Sequence, residues 1–138
     1  MITQISKNFF LNEFTDSITA KNRKIDNTPS HEEVVNITLL VQNTLQPIRD
    51  KFGKSIFVNS GFRSPRLNAA VGGANSSQHL TGQAADITAG NPDENRKLFN
   101  MIKASDIPFD QLIDEYNCQW VHVSYSKDRN RRQVLYIK

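Results

Sequence analysis

The chain has 138 residues, 38% of them apolar and 22% charged, a globular mix that excludes wholesale disorder and fits one domain of residues 1–138 rather than two. A chain of this length buries roughly 68% of the surface it exposes when unfolded, so its core needs neither disulfide nor metal staples, and the single Cys118 cannot form an internal bridge. The formal net charge is +3, and no run approaches 18 apolar residues, which excludes a membrane-spanning helix.

The opening stretch MITQISKNFFLNEF has no basic n-region, apolar h-region and small-residue cleavage site, so no secretory leader is expected, and the lone cysteine suits synthesis in a reducing cytosol. Residues 1–28 read as an arm whose apolar cluster, Phe9, Phe10, Leu11 and Phe14, docks on the main core. A long helix starts at Ser30, where Ser30 and Glu33 form an S-x-x-E capping box. Its apolar stripe, Val34, Ile37, Val41, Leu45, Ile48 and Phe52, keeps to one face at helical period. Pro47 lacks a backbone donor and is expected to kink or split the helix, and Gly53 to end it.

Ser55–Ser60 reads as a buried strand. All six glycines then fall between residues 53 and 90, four of them within 61–82. Glycine gathered in this way marks unusual backbone angles and close approaches, and long irregular segments in compact domains are usually functional. Beyond it, Ala84–Thr88 reads as a strand, Pro92–Ala104 as a helix, and Phe109–Tyr116, Gln119–Tyr125 and Gln133–Ile137 as three further strands, antiparallel with their neighbours. This order predicts an α+β fold, with helices packed on one side of a mainly antiparallel sheet. The last thirteen residues carry Lys127, Arg129, Arg131, Arg132 and Lys138 against Asp128. A basic end can meet an anionic polymer, nucleic acid or an acidic wall glycan. The commoner meaning of such a run is a solvated hairpin tip, and the absence of aromatic platforms beside the charges, Tyr136 apart, argues against nucleic acid.

Three histidines are available: His31, His79 and His122. His31 lies in the first turn of the long helix and is expected to be exposed and idle. His122, in the apolar run WVHVSY, reads by spacing alone as a core histidine with its nitrogens paired. Taken with His79 and Asp86 it offers a different chemistry, since two imidazoles and a carboxylate are a catalytic zinc ligand set that leaves one position open. No HExxH helix is present, and no G-K-[ST] follows Gly72-Gly73, so the helical zinc protease and the phosphate loop are both excluded. Cys118 as a fourth ligand would close the site, whereas a free cysteine is more often a small buried hydrophobe.

Ser77-Gln-His79-Leu-Thr-Gly82-Gln-Ala84-Ala-Asp86 matches the S-x-H-x-x-G-x-A-x-D pattern of the zinc D-alanyl-D-alanine carboxypeptidase family. That family is grouped with lysostaphin-type peptidases and the Hedgehog signalling domain. Ser60-Gly61-Phe62-Arg63-Ser64 resembles its S-G-[FY]-R-S segment, and Trp120-Val121-His122 its W-x-H strand. The resemblance runs from about Gln46 to Tyr125, and the chain as a whole is similar to short phage and prophage members. It implies a Hedgehog/D-Ala-D-Ala-peptidase-like fold with one Zn2+ per chain on His79, Asp86 and His122. Arg63 would stabilise the oxyanion or hold the substrate carbonyl or carboxylate, and Ser77 would hydrogen-bond the peptide. The implied substrates are peptidoglycan stem peptides, cleaved at D-amino acids by a carboxypeptidase-like or endolysin activity, and the default oligomeric state is a monomer. A signal-less chain would reach the cell wall or periplasm through phage lysis or a virion.

One position departs from the pattern. Many relatives carry Asp or Glu three residues before the last histidine, where this chain has Gln119. A metallopeptidase needs a base, and Asp110, Asp114 and Glu115 are near in sequence. Asp114 and Glu115 point to opposite faces of a strand. In phage-type members and in Hedgehog the acid comes from the preceding strand or turn, which favours Glu115. The alternative that Gln119 permits is an inactive relative that keeps zinc to bind the wall.

Overall fold

The computed structural model describes residues 3–138; the first two residues of the arm lie outside the described residues. The arm folds as a hairpin of β1 (Gln4–Ser6) and β2 (Phe9–Phe10) and two short helices, α1 (Asn12–Thr15) and α2 (Ile18–Arg23). Phe9 and Phe14 are fully buried in the main core, as the apolar cluster leads one to expect. Gln46 locks the hairpin: its Oε1 accepts from Ser6 Oγ (2.6 Å) and Asn8 N (2.9 Å), and its Nε2 donates to Asn8 Oδ1 (2.8 Å).

Helix α3 (His31–Leu40) begins with both halves of the capping box in place. The helical run continues through Pro47, and the interruption in it lies one turn earlier. A π-helical turn over Val41–Leu45 passes directly into α4 (Gln46–Phe52), with Gln46 N donating five residues back to Val41 O. The ladder has already widened where proline would have left a gap, so the missing donor falls in a turn that does not call for it. The extra residue also turns Thr44 inward, where its hydroxyl donates to Pro108 O at 2.7 Å. Gly53, at φ +74°, ends the helix in the left-handed conformation.

Five strands form the main sheet in the order β3 (Phe57–Ser60), β4 (Ala84–Thr88), β6 (Trp120–Ser124), β5 (Gln111–Glu115), β7 (Gln133–Ile137). Two expectations need correction. The first strand is an edge strand with Phe57 58% exposed, not a buried one, because only one neighbour covers it. The sheet is mixed: β7 runs parallel to β5, because the chain leaving β6 crosses the start of β5 and returns along its far side. The other pairings are antiparallel. The architecture is therefore α+β, a mixed five-stranded sheet with a small antiparallel one.

Alternation along the strands sorts the two faces. Ala85, Ile87, Leu112, Val121 and Val123 enter the core against Ile37, Leu40, Leu45 and Ile48 of the long helix and Leu98, Phe99 and Ile102 of α6 (Pro92–Ala104). Asp86, Ile113, Glu115, Trp120 and His122 turn the other way and line a cleft of about 980 Å³. Helix α5 (Pro65–Ala70) and a 3-10 turn, Gln78–Thr81, fold the glycine-rich segment; the residues just after α5, and the 3-10 turn itself, line this cleft. Neither is legible in the sequence as an element, being too short to show a period.

Candidate metal centre

Asp86 and His122 face each other as register partners on β4 and β6, and the 3-10 turn brings His79 above them. All three are buried, and one ligand atom of each lies within 4.8 Å of the others. Asp86 Oδ1 is 3.0 Å from His122 Nδ1 and 3.3 Å from His79 Nε2. His79 Nδ1 donates to Gly61 O at 2.6 Å, which fixes the orientation of the ring and aims Nε2 at Asp86. Zinc–ligand bonds of 2.0–2.2 Å place tetrahedral donors about 3.3–3.6 Å apart. The spacing to His79, 3.3 Å, lies in that range and the spacing to His122, 3.0 Å, is slightly shorter; the set is borderline nitrogen and hard oxygen, as zinc takes. Burial alone would raise the Asp86 carboxyl. Hydrogen bonds from His122 and His79, and the charge they carry when protonated, outweigh burial and hold it well below the usual carboxylate range.

Gly61 serves the site from behind. A Cβ there would stand 2.6 Å from Phe14 Cα, so only glycine lets the arm lie against this strand end while its carbonyl aims His79. Phe62 N donates to Phe14 O at 2.7 Å, continuing the contact.

Arg63 lies beside Asp86 with its guanidinium held on three sides. Nε donates to Ser60 Oγ (3.0 Å), Nη1 to Asn68 Oδ1 (3.2 Å) and Nη2 to Asp86 Oδ2 (3.4 Å). Its neighbour Gly73 has no room for a side chain, since a Cβ would fall 2.0 Å from Asn68 Oδ1 and 2.8 Å from Arg63 Nη1. Nothing in the sequence singles out Asn68; the paired Gly72-Gly73 signals a close approach without saying to what.

Ser77 Oγ accepts from His79 N at 3.1 Å and caps the 3-10 turn, and Ser77 lines the cleft. Glu115 also lines the cleft, where its carboxylate accepts from Trp120 Nε1. Asp114 points the opposite way, accepting from Cys118 N at 2.7 Å. The link between β5 and β6, Tyr116, Asn117 and Cys118, has φ between +55° and +59° at three successive non-glycine residues. Such a left-handed run is costly and persists only where its surroundings impose it. Asn95 does so: fully buried on α6, its Nδ2 donates to Cys118 O and Gln119 O, while its Oδ1 accepts from Thr88 Oγ1 and Ala89 N. Gln119 is exposed and does not line the cleft. Cys118 is buried on the core side, outside the ligand cluster, and burial, with the neighbouring Asp114 second, pushes its thiol up to about 11. His31 is exposed.

Among known proteins, a segment of 47 residues is 53% identical to the zinc D-Ala-D-Ala carboxypeptidase of Streptomyces albus G. That match covers 33% of this chain and 18% of the relative, so the chain aligns with less than a fifth of that protein's length. A family model described as Peptidase M15 matches residues 7–124. With the match extending from the docked arm through the strand that holds His122, the chain belongs to the Peptidase M15 family.

Proposed function

We propose that the protein is a zinc-dependent peptidase that hydrolyses bonds at D-amino acids in peptidoglycan stem peptides, in the manner of a D-Ala-D-Ala carboxypeptidase. The observation that carries this is the convergence of His79, Asp86 and His122 in a polar cleft lined also by Glu115 on the neighbouring strand and by Asp110. Arg131 occupies both oxygens of Asp110, which leaves Glu115 as the carboxylate without an ion pair among the described residues. His79, Asp86 and His122 would hold one zinc, which when bound polarises the scissile carbonyl and makes its water acidic enough to attack near neutral pH.

The chain's own residues supply the rest. Glu115 takes the proton of the attacking water and returns it to the leaving amine. Trp120 Nε1 steadies the carboxylate for this work. Arg63, held by Ser60, Asn68 and Asp86, presents a fixed positive charge where the tetrahedral oxyanion develops. Ser77 keeps its hydroxyl at the cleft wall for the peptide while capping the turn that bears His79. Because Gln119 lies off the cleft and Glu115 lines it, the geometry supports hydrolysis over a wall-binding role without catalysis. The place of action in this reading is the cell wall, reached through phage lysis or a virion.

Purified muropeptides incubated with the protein, with and without a zinc chelator, test this by mass spectrometry. A chelator-sensitive product is expected, and its mass names the bond: loss of one alanine, a split cross-link, or release at glutamate. Intact muropeptides after incubation with folded, zinc-loaded protein would sink the proposal.

A further inference from the structure

The basic stretch near the end of the chain is not a hairpin tip. Residues 125–132 connect β6 to β7 across the start of β5, and the cations there divide by what they touch. Arg131 is spent on Asp110, its Nε and Nη2 donating to the two carboxylate oxygens at 2.8 and 2.9 Å. Arg132 stacks over the Phe109 ring at 4.3 Å and donates to the carbonyls of Ile107 and Ser105. Lys127 is exposed and outside the cleft. Arg129 alone combines a cleft-lining position with a guanidinium that makes no ion pair or side-chain hydrogen bond among the described residues.

The loop that carries Arg129 is pinned. Asn130 Oδ1 accepts from Ser126 N at 2.9 Å, Ser126 Oγ accepts from Arg129 N at 3.3 Å, and Asp110 O accepts from Gln133 N at 2.9 Å. Its place along the cleft is set by the strand before it. His122 is central in β6; Trp120 and Glu115 stand at one end, and Ser124, whose carbonyl accepts from Asp110 N at 2.8 Å, marks the other. From His122 to Ser124 is two strand residues, roughly 7 Å, so the loop bearing Arg129 begins about two extended-peptide residues from the ligand cluster. With Asp110 on the lining neutralised by Arg131, the cleft is anionic and aromatic at the Glu115 end and cationic at the Arg129 end.

Resting on the peptidase reading, we propose that Arg129 determines specificity by pairing with a substrate carboxylate about two residues from the scissile bond. Stem peptides bearing that carboxylate are then preferred over those in which it is a carboxamide. A guanidinium suits this role because its planar fork matches a carboxylate, and a carboxamide offers no charge to pair.

The test uses two synthetic stem peptides differing only in carboxylate or carboxamide at that residue, and the zinc-loaded protein. Wild type is expected to show a KM about fivefold lower for the carboxylate peptide, the scale of a partly exposed ion pair. Arg129→Gln removes the difference by raising KM for the carboxylate peptide; Lys127→Gln, as a control for general charge, keeps it. Equal KM values in wild type, an undiminished ratio in Arg129→Gln, or its loss in Lys127→Gln would overturn the proposal. If neither peptide is cut, the proposed function fails instead, and calorimetric binding of the two peptides decides Arg129. Tighter carboxylate binding that Arg129→Gln abolishes supports the assignment, and equal binding overturns it.

Discussion

Glu115→Gln preserves size and the contact with Trp120 but cannot accept a proton. Hydrolysis is expected to fall by about a hundredfold or more with zinc still bound, whereas His122→Ala loses both zinc and activity. Turnover and metal content measured on the same preparations separate the two. Gly73→Ala makes a finer test, because the added methyl must displace Asn68 or the Arg63 guanidinium. Turnover should drop by about a hundredfold, the scale of an angstrom's misplacement at a reacting centre, while zinc content stays full; unchanged turnover would show that Arg63 needs no such support. His79, Asp86 and Arg63 are legible in the sequence because their spacing is local. The meeting of Asn68 and Gly73 with Arg63 is not, since it depends on the turn of α5 and carries no periodic signal.

Among the elements, strands β4 and β7 and helix α6 stand where hydrophobic pattern and punctuation put them. The direction of β7 is beyond the reach of pattern, because strand pairing is a choice between partners and leaves no trace in either strand alone. That same crossover creates the contact between Asp110 and Arg131, 21 residues apart. Hydrogen bonds from Arg131 outweigh burial and bring the Asp110 carboxyl down to about 2, against 3.8 unperturbed. A carboxyl lowered on folding stabilises fully above its unfolded value and loses that contribution as pH falls through about 4 towards about 2. Asp110→Asn should therefore cost about 1–2 kcal/mol near neutral pH, discounted for the partly exposed Arg131. The difference should shrink towards zero near pH 2, as urea unfolding at several pH values would record.

For the whole molecule, the core and the ligands occupy opposite faces of one sheet. Removing zinc should therefore leave the fold standing: a chelator is expected to abolish hydrolysis with little change in circular dichroism. Restored zinc should raise the thermal midpoint in a concentration-dependent way by mass action. Collapse of the secondary structure on chelation would contradict this separation. The placement of Gly61 between Phe14 and His79 carries a different consequence. The stretch from Ser60 to His122, recognisable on its own in the sequence, is not a transplantable cassette. A chimera that carried it onto another sheet without the arm would keep every ligand and lose the backing that sets one imidazole. Its descendants by shuffling would have to inherit both pieces together.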